Sequence, residues 1–397
     1  MNLDQLLNSV EMSSVIRYSV RLATASPDGI VCPPTYAAKQ KGGPPHIPFR
    51  KAFVDGQQRD VVVLDSPQSQ SNRIEWALLT AARAGRIQYP DIEIRFPGFA
   101  DEPVYSVLQL SHRIYDAVMR ACTLDGQPFF ESPIGQSIVG ARMATAAALF
   151  EHAPVTLVLG GWDSNGGAGP LAAKIPRLMT SEIIGLDAMP AEISSTKFDP
   201  MDIRSGVAEL VPTGDRVRRF EIKSAAPKAG KGKAQRPSEF GFGSVPATAV
   251  PRAAVINGAV QTSVLSCSGL RHLSFPTDTG TVDAVRDQAG RAVLAALALF
   301  GLVTQNEAGY LLRSRCELLP EDDGQLELIG RTLQEAEVTR LGSDAARTLL
   351  EEACAHAAEH GLAFRAKVLK LEADDRLQEL VRRSREAAAQ EEAGDEA

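Results

Sequence analysis

The stretch Asp65-Ser66-Pro67-Gln68-Ser69-Gln70-Ser71-Asn72-Arg73 joins a helix start to a set of anion-binding groups. Ser66 fits the N-cap, and Pro67 fits the first helical position, where a missing N–H costs nothing. The next turns offer Gln68, Ser69, Asn72 and Arg73, with Gln70 between them, beside the positive end of the helix dipole. That arrangement suits a phosphate. Capping alone would explain Ser66 and Pro67, but not four further polar side chains. An echo follows at Glu131-Ser132-Pro133-Ile134-Gly135-Gln136-Ser137, with Arg142 further along.

Other constellations point to single-stranded nucleic acid. Gly160-Gly161-Trp162-Asp163-Ser164-Asn165-Gly166-Gly167-Ala168-Gly169 is a glycine-rich loop with an indole available for stacking. It lacks the GK[ST] of a phosphate-binding loop and the tight strand–turn–helix setting of a dinucleotide fold. From Arg216 to Arg236 stand Arg216, Arg218, Arg219, Lys223, Lys228, Lys231, Lys233 and Arg236 against one acid, Glu221. This run leads into Phe240-Gly241-Phe242, so charge for phosphates adjoins rings for bases. His356-Ala-Ala-Glu359-His360 spells a helical zinc pattern, but it lies in an acidic, Ala-rich tail without an evident third ligand. We expect neither metal nor cofactor there. No GxSxG or comparable nucleophile pattern is present, so a hydrolase has little support.

The elements that must position these groups read as α+β. Val15–Ala23 alternates with period two and places Arg17 and Arg21 on its polar face. Residues 26–50 are proline-rich and read as a loop. Val61–Leu64 reads as a buried strand and Pro67–Ala84 as a helix with Ile74, Ala77, Leu78, Ala81 and Ala82 on one stripe. Ile92–Phe96 is expected as a strand, Val107–Cys122 and Pro133–His152 as helices, and Val155–Leu159 as a strand. After a mixed region come strands at Ala253–Leu265 and Leu270–Phe275, a helix at Val282–Leu302 and a strand at Leu311–Leu319. Two β-α-β units fit a ferredoxin-like core, with what lies between them as insertion. The expected division is 1–320 as core, including a basic loop at 213–245, and 321–397 as a helical acidic extension with a disordered end.

Composition is ordinary for a globular chain: 44% hydrophobic and 23% charged over 397 residues. The net charge of −7 hides an asymmetry. Glu317–Ala397 holds 20 acidic and 10 basic residues, which leaves residues 1–316 at +3, so a polyanionic partner is not excluded. The longest apolar run, Ala292–Val303, has 12 residues, too few to span a bilayer. No signal-peptide pattern opens the chain, and five scattered cysteines read as reduced thiols. We therefore expect a cytoplasmic protein with no membrane partner.

LDSPQSQSNRIE (Leu64–Glu75), HRIYDAV (His112–Val118), SPIGQ, LVLGGWDSNG (Leu157–Gly166), RLMTSEIIGLDA (Arg177–Ala188) and LLRSRCELLP (Leu311–Pro320) occur in this order. Together they resemble the backbone RAMP subunit of type I-G (formerly I-U) CRISPR effector complexes, the Csb-one branch of the Cas-seven family. The resemblance implies a ferredoxin-like (RRM/RAMP) palm with finger and thumb insertions. It also implies head-to-tail assembly of several copies on CRISPR RNA, beside other effector subunits. The guide's phosphates would be held irrespective of sequence and its bases presented to target DNA, with cleavage left to a separate helicase-nuclease. Under this resemblance the Gln68–Arg73 region and the loop with Trp162, Ser164 and Asn165 are candidate guide contacts. The basic loop becomes a finger or thumb, and Arg17, Arg21, Ser66, Gln136, Arg142, Arg177, Arg271 and His272 complete the candidate RNA-binding set. Two alternatives stay open: a type III-like subunit that cleaves RNA through an Asp such as Asp163, and a self-assembling structural protein.

Overall fold

The computed structural model describes residues 1–37, 46–163, 174–203, 208–213, 220–223 and 236–394. Their centre is a nine-stranded antiparallel sheet. Its strands are β1 (Val15–Thr24), β2 (Phe49–Val54), β3 (Gln57–Asp65), β4 (Met179–Leu186), β5 (Ala259–Ser266), β6 (Tyr310–Arg313), β7 (Cys316–Pro320), β8 (Gln325–Ile329) and β9 (Ala336–Thr339). The order is β6-β7-β1-β5-β4-β3-β2. β1 is shared along one edge: its end pairs with β7 and its beginning with β8, which carries β9.

Period-two alternation does the sorting. Ile16, Tyr18, Val20 and Leu22 of β1 are buried, while Arg17, Ser19 and Arg21 point to the other face. On the buried side lie helices α1 (Leu3–Met12), α2 (Pro67–Arg83), α3 (Ala284–Glu307) and α4 (Ser343–Glu359), with α3 packed on the other three. α2 and α3 approach closely: a Cβ at Gly301 would stand 2.8 Å from Ile74 Cγ2. Of the expected stripe Ile74, Ala77, Leu78 and Ala81 are buried, and Ala82 is half-buried at its edge. Each fully buried Ile or Leu contributes about 1.5–3 kcal/mol. By length and composition α3 could cross a bilayer, the one such helix among the described residues, but most of its apolar stretch is buried inside the protein.

Several expectations are corrected. Val155–Leu159 is not a strand but the end of a buried helix, Pro154–Leu159; a short all-apolar run has no period to tell the two apart. Val107–Cys122 is three short 3₁₀ turns and not one helix, broken where Arg113 takes a φ of 54° and where Asp116 caps a new turn. Pro133–His152 divides into Pro133–Gly140, Met143–Thr145 and Ala147–His152, because Ala141 is extended. Leu270–Phe275 is not a strand: Cys267–Leu270 is a helical turn capped by Ser266. Ala253–Leu265 is the end of one strand, Val245–Val255, and most of another, β5, reversed at Gly258 (φ 88°). Leu311–Leu319 is the β6–β7 hairpin. α1 was not anticipated. Nor is everything between the β-α-β units insertion, since β4 lies inside the main sheet.

The stretch 321–397 is not helical throughout. Beside α4 and Asp375–Gly394 it supplies β8, β9 and Leu369–Ala373, which pairs in parallel with Ile92–Arg95 in a second sheet. The alternating apolar residues Leu326, Leu328, Leu369 and Leu371 are buried, and that burial outweighs the helical propensity of their surroundings.

The chain divides into two compact units, Met1–Pro190 with Ala253–Asp374, and Ala191–Arg252 with Asp375–Ala397. In the second, Glu209–Pro212 and Phe220–Lys223 form a hairpin.

Candidate nucleic-acid interface

At the start of α2 the local prediction holds: Ser66 is the N-cap, accepting from Ser69 N, and Pro67 opens the helix. The polar side chains, however, turn inward. Asp65, at the end of β3, is fully buried. It accepts from Ser69 Oγ (2.7 Å), Gln70 Nε2 (2.7 Å) and Arg73 Nε (3.0 Å). Gln70 is also fully buried, and its Oε1 accepts from Ser181 Oγ, Gln261 Nε2 and Gln305 Nε2 at 2.8–3.1 Å. Arg73 donates onward to Leu312 O (2.9 Å). This is a polar core tying α2 to the sheet and to α3. Only Gln68 and Asn72 of the predicted set remain exposed on the helix surface.

The ribbon at Trp162 is built the opposite way. Gly161–Trp162 pairs antiparallel with Lys174–Ile175, which sets Trp162 directly opposite Lys174. Cross-strand partners project to the same face, and both residues are exposed, Trp162 at 61%. Two glycines bring the ribbon against its support: Gly160 takes a φ of 84°, and a Cβ on Gly161 would stand 2.6 Å from Thr156 Cγ2. Gly160 O accepts from Arg113 Nη1 (3.0 Å), and Arg113 also binds both carboxylate oxygens of Glu75 on α2, at 2.5 and 3.2 Å. Burial pushes the Glu75 carboxyl above its ordinary range, while Arg113 pulls it back. Arg177 Nε donates to Leu159 O (3.3 Å), and burial lowers its pKa. On the other flank Asp163 is buried, with both oxygens on Arg120 Nη2 at 2.6 and 2.7 Å. Arg120 lies 5.4 Å from the centre of the Phe130 ring. The result is an exposed indole and an exposed ammonium on a rigid base.

The face of the main sheet opposite the helices forms a second surface. In a flat sheet β3 would lie about 14 Å from β1, yet Arg21 is ion-paired with Asp55 in the β2–β3 turn. The sheet therefore curls, enclosing a small apolar cluster of Val61, Leu186, Val260, Ala52, Val54 and Ile184. Around it Arg50 pairs with Glu182 and Arg59 with Asp187. Arg17 binds Glu327 at 2.7 Å. Arg17 and Arg21 remain about a third exposed, and surface pairs of this kind are worth only about 0–1 kcal/mol.

The other predicted residues are dispersed. Gln136 and His272 are exposed. Arg142 donates to Val139 O and Ala141 O, and Arg271 to Val10 O and Ser13 O, so each caps backbone carbonyls. Ser164, Asn165, Arg216, Arg218, Arg219, Lys228, Lys231 and Lys233 lie outside the described residues. In the second unit Lys223 stands opposite Glu209, Arg236 is exposed, and Phe240 and Phe242 pack against Phe220 with ring centres 5.7 and 5.0 Å apart. His356 on α4 and His360 at its C-cap meet edge to face at 4.9 Å. Among the described residues no group of three His, Cys, Asp or Glu is placed to hold a metal ion. Burial pushes the thiols of Cys122, Cys267 and Cys354 up to about 12.

Sequence reasoning missed Arg113, Arg120 and Trp76. Only Trp76 left a signal, as a large aromatic residue on the polar side of the α2 stripe, and it is 59% exposed.

Residues 18–190 match the family described as CRISPR-associated protein GSU0053. The matched segment includes α2, the ribbon strand Gly161–Trp162 with its partner, and β4. It supports a CRISPR-associated role for the chain. No curated protein matches the sequence.

Proposed function

We propose that this chain is a backbone subunit of a type I CRISPR effector complex of the I-G kind, the Csb-one branch of the Cas-seven family. In this reading several copies line one CRISPR RNA, hold it by its phosphates and present its bases to target DNA beside other effector subunits. The observation that carries it is the exposed Trp162–Lys174 pair. An indole face and an ammonium on one side of a rigid ribbon suit a base and its phosphate, and neither reads sequence. The strand order β7-β1-β5-β4, with α2 preceding β4 and α3 following β5, supports a ferredoxin-like core. The basic residues from Arg216 to Arg236 add electrostatic affinity. Asp163 is committed to Arg120, which favours a positioning role for it over RNA cleavage, and in this reading cleavage belongs to another subunit.

The test is nucleic acid in the purified protein. Nuclease-treated material should retain short RNA of uniform length, and Trp162→Ala with Lys174→Ala should release it while leaving the melting temperature in place. Protein that assembles without any bound RNA would refute the reading in favour of a structural role.

A further inference from the structure

A surface groove of about 650 Å³ runs between α2, the end of α3 and β6, within the range of small-molecule sites. One wall is the α2 line Asn72, Trp76 and Thr80, and the opposite side carries Ala308 and Leu311. Trp76 and Leu311 are 59% and 62% exposed, unusual for two large apolar side chains lining one cleft. Thr304 and Gln305 also line the groove, each more than nine-tenths buried. Thr304 Oγ1 and Gln305 Oε1 have no hydrogen-bond partner among the described residues. Buried polar atoms are ordinarily satisfied, so these two mark a place where a ligand's own donors would lower the free energy. At the rim Arg86 is exposed and has no ion-pair partner among the described residues.

We propose that this groove is a pocket for a single unstacked nucleobase. The ring would stack on Trp76 against Leu311. Its exocyclic amine or ring N–H would meet Thr304 Oγ1 after a small rotation of that side chain and Gln305 Oε1 where it stands, with Gln305 Nε2 still held by Gln70 Oε1 and Asn306 Oδ1, and its phosphate would meet Arg86. A purely apolar peptide side chain would leave both buried polar atoms unsatisfied, which makes a base the better occupant. The RNA-binding reading above supplies the strand from which the base comes, and a free mononucleotide has the same chemistry.

The chain has two tryptophans, so Trp162→Phe leaves Trp76 as the sole indole. In that variant, AMP, GMP, CMP and UMP are titrated against Trp76 emission, then a short single-stranded RNA, with ribose 5-phosphate as control. Saturable quenching by at least one nucleotide and no response to ribose 5-phosphate is expected. Arg86→Ala should weaken the nucleotide, and Thr304→Val, nearly isosteric, should change the ranking of bases. In the otherwise native chain, Trp76→Ala should weaken RNA about tenfold or more. Quenching by mononucleotides with no response to RNA assigns the pocket to free nucleotides and counts against the strand as source. No quenching by any nucleotide or by RNA overturns the pocket, while Trp162→Ala still tests RNA binding separately. Trp76 emission that shifts with protein concentration alone, indifferent to nucleotide, also overturns it and assigns the groove to a protein contact.

Discussion

At the start of α2 the polar side chains converge on one another; at Trp162 they lie beneath an exposed ring. In the first region a buried carboxylate, Asp65, draws Ser69, Gln70 and Arg73 away from solvent. In the second the pairs Arg113–Glu75 and Arg120–Asp163, each with a buried carboxylate, fix a backbone that presents Trp162 and Lys174 to the outside. The difference teaches that a group's reach toward a ligand depends on what has already claimed its hydrogen bonds. Burying a charge obliges its neighbours to satisfy it, so one inward Asp converts an apparent anion site into a fold anchor.

The sharpest way to break this comparison is Asp65→Ala. It would strand Arg73 and the buried amide of Gln70, and we expect a loss of about 3–5 kcal/mol in urea unfolding. A near-neutral result would mean the polar core is not structural. Arg73→Ala should cost less, about 1.5–3 kcal/mol for its charged hydrogen bonds, and it should act on stability before it acts on RNA. Trp162→Ala should do the reverse. Its stability should stay within about 0.5 kcal/mol of the native chain, while single-stranded RNA weakens by about 1–3 kcal/mol, read by fluorescence anisotropy.

Lys174→Ala is a smaller and more specific probe. Removing one phosphate contact should lower the salt slope of binding by about 0.7 without altering sequence preference. An unchanged slope would detach Lys174 from the interface.

The smallest effect concerns the ground beneath the ribbon. His152 ends the helix just before Pro154–Leu159, it is buried, and its Nδ1 has no hydrogen-bond partner among the described residues. Burial lowers its pKa; Glu151 opposes the shift, and Arg365 adds to it. Between that lowered value and about 6.5 the unfolded chain binds the proton and the folded chain does not. Stability should therefore fall as pH drops below about 6.5. His152→Phe should flatten that slope, and an unchanged slope would place the acid sensitivity elsewhere.

The start of α2 was legible down to its cap because Ser66 and Pro67 act locally, through their own φ angles and nearby N–H groups. The exposure of Trp162 was legible as an indole among glycines with no apolar period to bury it. The ribbon's supports were not: Arg113 reaches Glu75 across 38 residues of chain, and no spacing rule links them. β4 escaped notice because its inward positions include Ser181 and Gly185, so its alternation is only partly apolar.

By itself the sequence determined the α+β class, the strand β1 with its two faces, the α2 stripe and the basic character of the residues ahead of the acidic end. These follow from periodicity and charge, which neighbours along the chain decide. Tertiary structure alone decided which polar groups face water. Satisfying Asp65 takes Arg73 from the helix that follows it and Arg313 from a distant strand, and the energetic cost of a lone buried carboxylate selects that arrangement only once the sheet and helices have come together.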